Sequence, residues 1–211
     1  MYTLFGSDGS GSAAVEVALQ RIGAPFRIVT ASTWEPQSAL AELRAVNPLQ
    51  QIPTLALPDG SVLTESAAIL IHLGLEFPAA HLLPADASQR AQSIRGLVFI
   101  AANCYAAIGV NDYPERWCAD IDDSARERII RGARQRLHHY WEIFADQFAS
   151  QPRLMMSGAH PSALDILAAV VSKWSGSRAH LRTARPGFSQ TLQRLDTHPD
   201  IAPTFARHFK S

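Results

Sequence analysis

Three short stretches carry residue types that a binding or catalytic site needs. In Gly6-Ser7-Asp8-Gly9-Ser10-Gly11-Ser12, hydroxyls and flexible backbone precede the helical composition of AAVEVALQRIG. The start of a helix offers unpaired N–H groups and the positive end of a dipole, which favour a negative charge there. In Gln50-Gln51-Ile52-Pro53-Thr54, a proline stands at the mouth of an apolar strand. Proline cannot donate to a sheet ladder, so that position implies an edge, a turn or a cis bond. In Leu63-Thr64-Glu65-Ser66, a helix opens on an acid and a hydroxyl; its N–H groups suit a carboxylate, to which Ser66 adds a donor.

Other chemistries have little support. Cys104 and Cys118 form no Cys-x-x-Cys pattern, which excludes a redox dithiol and a zinc knuckle. His138 and His139 are neighbours, and neighbouring rings on a helix cannot face one metal, so no metal is expected. Nineteen basic residues balance nineteen acidic ones, leaving no electrostatic footprint for nucleic acid or an anionic membrane. The N-terminus lacks the pattern of a signal peptide, and no stretch reads as about 20 apolar residues in a row; the chain is read as cytoplasmic. Gly9-x-Gly11-x-x-Ala14 with Glu35 downstream also matches a dinucleotide fingerprint. The polar residues between Phe5 and Gly9, and the hairpin that follows, argue against it.

The elements that must hold these residues can be read in order. YTLF, a loop and AAVEVALQRIG closed by Gly23 give strand, loop and helix, and FRIVTAS is a second strand reached by a right-handed crossover. SALAELRAV is a short helix. TLAL and SVLT flank Pro58-Asp59-Gly60 as an antiparallel hairpin, and ESAAILIHLGLEF is a third helix. This βαβαββα order is the thioredoxin-like pattern over residues 1–78, followed by a proline-rich linker at 79–87. Residues 88–211 contain no convincing strand and read as an all-helical bundle. One stripe there comprises Ile130, Ala133, Leu137, Tyr140, Trp141, Phe144 and Phe148. Ser162 and Asp165 form a capping box ahead of ILAAVV, and the tail is read as one more helix and a turn.

Three runs in this order, Asn47-Pro48-Leu49-Gln50-Gln51-Ile52-Pro53-Thr54-Leu55, Leu63-Thr64-Glu65-Ser66-Ala67-Ala68-Ile69 and Ser162-Ala163-Leu164-Asp165, resemble motifs of the cytosolic glutathione transferases over essentially the whole chain. The departures are Gln50 for the usual glycine and Leu164 for the usual alanine. The resemblance implies a bacterial-type, serine-class-like enzyme that joins the thiolate of its co-substrate glutathione to a small electrophile. It implies that a cis Ile52–Pro53 bond presents the Ile52 backbone to the cysteinyl part of the tripeptide. Glu65 and Ser66 then meet its γ-glutamyl end, and Gln51 supports its backbone. Ser10 hydrogen-bonds the sulfur, with Ser12, or a backbone amide and no activating side chain, as the alternatives; Gly11 falls where cysteine-type classes carry cysteine. Tyr2 reads as packing. Asn103, Tyr105, Asn111, Tyr113 and Trp117 fall where the acceptor pocket is expected. A homodimer is also implied. A glutathione-dependent disulfide or peroxide reductase and an inactive glutathione-binding module are the alternatives, and the lack of cysteine in residues 1–78 disfavours mixed-disulfide chemistry.

Overall fold

A computed structural model describes residues 1–35, 37–151 and 153–210. Its strands are confined to a four-stranded sheet of order β2-β1-β3-β4. β1 (Tyr2–Gly6) is buried along its length, as a strand with neighbours on both sides must be. β2 (Phe26–Thr30) pairs with it in parallel, aligning Leu4 with Ile28. The crossover is α1 (Ser12–Ile22), ended by Gly23 in the left-handed conformation at φ +67°, where glycine bears no Cβ penalty.

α2 (Leu40–Val46) leads to β3 (Thr54–Ala56) and β4 (Val62–Thr64), both antiparallel to their neighbours. Their turn is held by Asp59, whose Oδ1 accepts from the Ser61 N–H (2.9 Å) and hydroxyl (2.7 Å). α3 (Ser66–Glu76) completes the thioredoxin-like unit. Tyr2 is buried in β1, consistent with packing.

The remainder is helical among the described residues. α4 (Ala87–Phe99) passes through a π-helical turn at Ile100–Tyr105 into α5 (Ala106–Asp112). α6 (Asp123–Phe144) continues through a second π turn at Ala145–Ala149. Of the stripe read from sequence, Leu137, Trp141, Phe144 and Phe148 are fully buried. α7 (Ala163–Val171) is buried at every residue, and α8 (Ser177–Ala184), α9 (Pro186–Asp196) and α10 (Ala202–His208) follow.

Two expectations are corrected. The 26-residue run Ala87–Asp112, with mean hydropathy 1.5 in its most apolar window, is long and apolar enough to cross a membrane. Scattered polar residues such as Asn103 hide it from a search for unbroken apolar sequence. In the fold its Leu97, Ile100 and Cys104 are fully buried in the core. The tail from Pro186 onward holds two helices, α9 and α10, where one helix and a turn were expected, and α8 ahead of it was not read. The missed pieces, α8 and α10, are only eight and seven residues long, too short for the apolar period to declare itself.

The sheet and the helices share one continuous core, with a small satellite of Phe5, Ala31 and Leu43 on the other sheet face. α7 is fixed by its capping box: the Ser162 hydroxyl accepts from the Asp165 N–H (3.2 Å), and Asp165 accepts from the Ser162 N–H (2.8 Å). Asp165 also accepts from the Met156 N–H (2.9 Å). Burial pushes the Asp165 carboxyl up to about 6, with the Ser162 and Met156 hydrogen bonds pulling the other way. Asp165→Ala should lower stability in urea unfolding by about 2–4 kcal/mol, since it removes a cap and strands two N–H groups. A loss below about 1 kcal/mol would contradict this role.

Candidate functional site

The Ser7–Ser12 loop is tied to itself. The Ser10 hydroxyl donates to the Ser7 carbonyl (2.7 Å) and lies 2.8 Å from the Ser12 hydroxyl, while the Ser12 N–H donates to Ser10 Oγ (3.2 Å). Ser12 Oγ donates to the Ser7 carbonyl (3.2 Å) and accepts from the Ser7 N–H (3.3 Å). Ser10 and Ser12 are both buried. Gly6 is required here, because a Cβ at that position would overlap the Ser12 side chain.

Glu35, the acid of the dinucleotide-like pattern, accepts a hydrogen bond from the Ser7 hydroxyl. That pattern also needs more parallel strands beside the first pair, yet β2 is a sheet edge and β1 is flanked on its other side by antiparallel β3.

The second stretch is a rigid corner. The Ile52–Pro53 peptide is cis. The Gln51 carbonyl accepts from Asn47 Nδ2 (3.0 Å) and from the Thr54 hydroxyl (2.8 Å), and Asn47 Nδ2 also donates to Thr54 Oγ1 (2.9 Å). These bonds hold the chain on either side of Ile52. The backbone N–H and C=O of Ile52 make no hydrogen bond among the described residues, which leaves them available to an extended peptide.

At the third stretch, Glu65 turns into α3 at φ +67°, exposed, while Ser66 behind it is buried. No side chain caps this helix, so its N-terminal donors remain available to an anion.

The helical unit delivers a fourth component. Tyr105 ends the π-helical turn, and its hydroxyl is buried without a hydrogen-bond partner. It lies so close to Gly11 that a Cβ there would collide with it, and the same Cβ would stand 3.4 Å from the Pro53 ring. Burial pushes the phenol up to about 12. The Ser66 hydroxyl alongside pulls the other way, although no hydrogen bond forms, and the Glu65 charge adds to the rise. Tyr105 thus lies beside the first and third stretches, and Gly11 lies beside the second.

The other residues expected in the acceptor pocket are less directed. Trp117 is 66% exposed, Asn103 donates to the Phe99 carbonyl (3.1 Å), and Tyr113 lies under the Arg116 guanidinium.

The loop is also fastened from behind. Trp174 packs against Tyr105 and donates from Nε1 to the Gly9 carbonyl (3.2 Å). Glu16, on the buried side of α1, pairs with Arg207 and with His208 Nε2 (3.0 Å) at the C-terminal end of α10. Burial raises the Glu16 pKa, but these two bonds more than offset it and hold the carboxyl below its ordinary value.

A cleft of about 430 Å³ opens at the opposite end of α1, among Gln20, Arg21, His81, His160 and Asp200. None of the expected site residues borders it. Among the described residues no group of three or more His, Cys, Asp or Glu side chains is arranged to hold a metal.

The Gly11–Tyr105 contact makes a sharp expectation. Gly11→Ala should destabilise the chain by about 1–3 kcal/mol through overpacking. Tyr105→Phe in the same chain should recover most of that loss, as measured in a double-mutant unfolding cycle. Strict additivity of the two changes would contradict the contact.

Residues 12–76 match the family model described as the glutathione S-transferase N-terminal domain. The uncharacterized GST-like protein YncG of Escherichia coli K12 is 34% identical over 131 residues, covering 62% of this chain and 63% of that protein. Rat glutathione S-transferase theta-2 is 39% identical over 101 residues, covering 47% of this chain and 41% of that protein. Each match therefore spans less than two thirds of the relative's length.

Among solved structures, a Sulfitobacter glutathione transferase homologue with bound glutathione shares the fold at a TM-score of 0.80, with 22% identity over 96% of both chains. A sphingomonad glutathione S-transferase complexed with glutathione does so at 0.75, with 23% identity over 99% of this chain and 100% of that one. The similarity to glutathione S-transferases thus covers the N-terminal unit and part of the helical unit in sequence, and the whole chain in fold.

Proposed function

We propose that this protein is a serine-type glutathione transferase that conjugates the glutathione thiolate to small electrophiles. The observation that carries the reading is the convergence of the α1 N-terminus, the Ile52–Pro53 corner and the α3 N-terminus, marked by the closeness of Gly11 to Pro53 and Tyr105 and of Tyr105 to Ser66 and Glu65. Residues 1–78 form the glutathione-binding unit, 79–87 the connection and 88–211 the helical unit in this reading. The Ile52 N–H and C=O pair with the cysteinyl residue in β fashion, Pro53 shapes that corner and Gln51 supports the ligand backbone. Ser66 and the α3 N–H groups receive the γ-glutamyl carboxylate, and exposed Glu65 receives its ammonium.

The sulfur lies at the N-terminus of α1, where the helix dipole favours the thiolate. Ser10 turns its proton from the Ser7 carbonyl to the sulfur. Ser12, 2.8 Å away, donates to Ser10 in turn. The Ser7 carbonyl keeps the Ser10 N–H, 3.2 Å away, as a partner. The thiolate forms a C–S bond with the electrophilic carbon, and the leaving group departs with its electron pair. The protein acts as a cytoplasmic homodimer in this reading.

Two outcomes test it. Glutathione at 100 times its dissociation constant should add about 2.7 kcal/mol of stability in a thermal-unfolding titration, and Ser66→Ala should weaken that response. No shift at millimolar glutathione would remove the reading. Ser10→Ala should lower turnover of an aryl halide about tenfold or more, corresponding to a rise of about one pKa unit in the bound thiol, with glutathione affinity nearly intact; equal turnover would reject the role of Ser10.

A further inference from the structure

The cleft of about 430 Å³ at the C-terminal end of α1 lies apart from the three stretches and is bordered by both units. Its cation is Arg21, whose side chain is only 9% exposed. Arg21 Nη1 donates to the Pro161 carbonyl and stands 4.0 Å from Asp200 Oδ2, but Nη2 is buried without an acceptor among the described residues. A guanidinium that has given up water and kept donors to spare is costly to bury. Buried donors in that condition are uncommon in a folded protein, and they favour an incoming acceptor.

The polar neighbours of Arg21 on the cleft are already engaged. Gln20 donates to Glu16 Oε1 (2.9 Å) and accepts from the Thr204 hydroxyl (3.0 Å). Asp200 Oδ2 lies 2.8 Å from His160 Nδ1, and the Asp200 N–H donates to His198 Nδ1 (3.2 Å). The cleft is also built rather than loose. Arg21 holds the carbonyl of Pro161, and the Leu82 carbonyl accepts from the Ala163 N–H (2.8 Å), which ties the linker to the start of α7.

Two further features define what the cleft suits. Ala79, Ala80, Pro199 and Pro203 border it with side chains that form no hydrogen bond, which fits a hydrocarbon body. The Asp200 carboxylate beside Arg21 offsets much of its charge, which disfavours a dianion such as inorganic phosphate and leaves room for one planar negative group. Burial lowers the Arg21 pKa against the pull of Asp200 and Asp165, and an anion against Nη2 adds to that pull.

We propose that this cleft binds a small organic monocarboxylate, its carboxylate accepting from Arg21 Nη2 and its apolar body lying against Ala79, Ala80, Pro199 and Pro203. A small shift of the guanidinium brings Nη2 to the ligand. The site is independent of the glutathione reading. Because α1 and the linker form one side and the His160 and Pro199–Pro203 segments the other, its occupant bridges the two units.

The test uses phenylacetate as the probe, phenylacetamide as its uncharged counterpart and inorganic phosphate as an anion without an apolar body. Amide shifts in heteronuclear NMR spectra of the full chain report affinity and place together. Phenylacetate should shift the amides of Ala79, Ala80, His81 and Asp200 saturably, and the other two probes should bind about tenfold more weakly or worse. Arg21→Met should abolish the preference for phenylacetate over phenylacetamide. Arg21 also anchors Pro161, so Ala79→Glu, at an exposed position on the cleft border, keeps the test decisive if that variant does not fold. Ala79→Glu should weaken phenylacetate about threefold or more through like-charge repulsion, with Ala79→Gln within about twofold of native.

Equal affinity for phenylacetate and phenylacetamide would overturn the proposal, as would equal affinity for the two Ala79 variants. Tighter binding of inorganic phosphate would overturn the organic ligand. Shifts confined to the amides of Ser10, Ile52 and Ser66, or no saturable shift at millimolar phenylacetate, would overturn the site itself.

Discussion

Helix α1 is buried along eight consecutive residues, Ser12 to Leu19, and the placement of the whole site follows from that constraint. One face of the helix rests on the sheet, and it also packs against α3, α7 and α10. A surface helix can shift by rotating its polar side outward, but a helix enclosed by close-packed side chains has no such freedom. Its run of Ser, Ala and Val keeps the side chains small enough for neighbours on every side. The one acid in that run, Glu16, is kept charged by Arg207 and His208 from the far end of the chain. Fixing α1 fixes the Ser7–Ser12 loop, which can then carry several hydrogen bonds in a small volume.

The same enclosure explains why chemistry belongs at this end of the helix. The start of α3 carries no side-chain cap, whereas the first N–H groups of α1 are taken by Ser10 and Gly11. The uncapped start of α3 and an Ile52 backbone without internal partners form a surface suited to a short anionic peptide. Packing between the sheet unit and the helical bundle matters as much as either part, because Trp174 and Tyr105 reach the loop from the bundle. A site assembled in this way is pre-organised by the core and loses little freedom when a ligand arrives.

Much of this was legible in the sequence. Local chemistry announced itself: the proline after Ile52, the hydroxyl at Ser66, the hairpin turn at Pro58-Asp59-Gly60 and the reciprocal cap of Ser162 and Asp165 each depend on residues only a few positions apart. Features that depend on distant neighbours did not. Glu16 looks like a solvated acid on a helix until residues 192 positions later fold back on it. Tyr105 reads as one aromatic among several in an apolar helix, since a π-helical turn has no residue signature and only the close approach to Gly11 reveals where the hydroxyl points. The sequence shows the serine hydroxyls but not their partners, and only the folded loop shows that each is already bonded.

The central claim is that the α3 N-terminus, the Ile52 edge and the α1 loop together read one tripeptide. It is tested most directly by titration calorimetry of the native chain with glutathione and with cysteinylglycine, which lacks the γ-glutamyl group that Glu65 and Ser66 would hold. Saturable binding of glutathione and a loss of about tenfold or more without the γ-glutamyl group, worth at least about 1.4 kcal/mol, is the predicted result. Equal affinity for the two peptides, or no binding of either, would contradict the account.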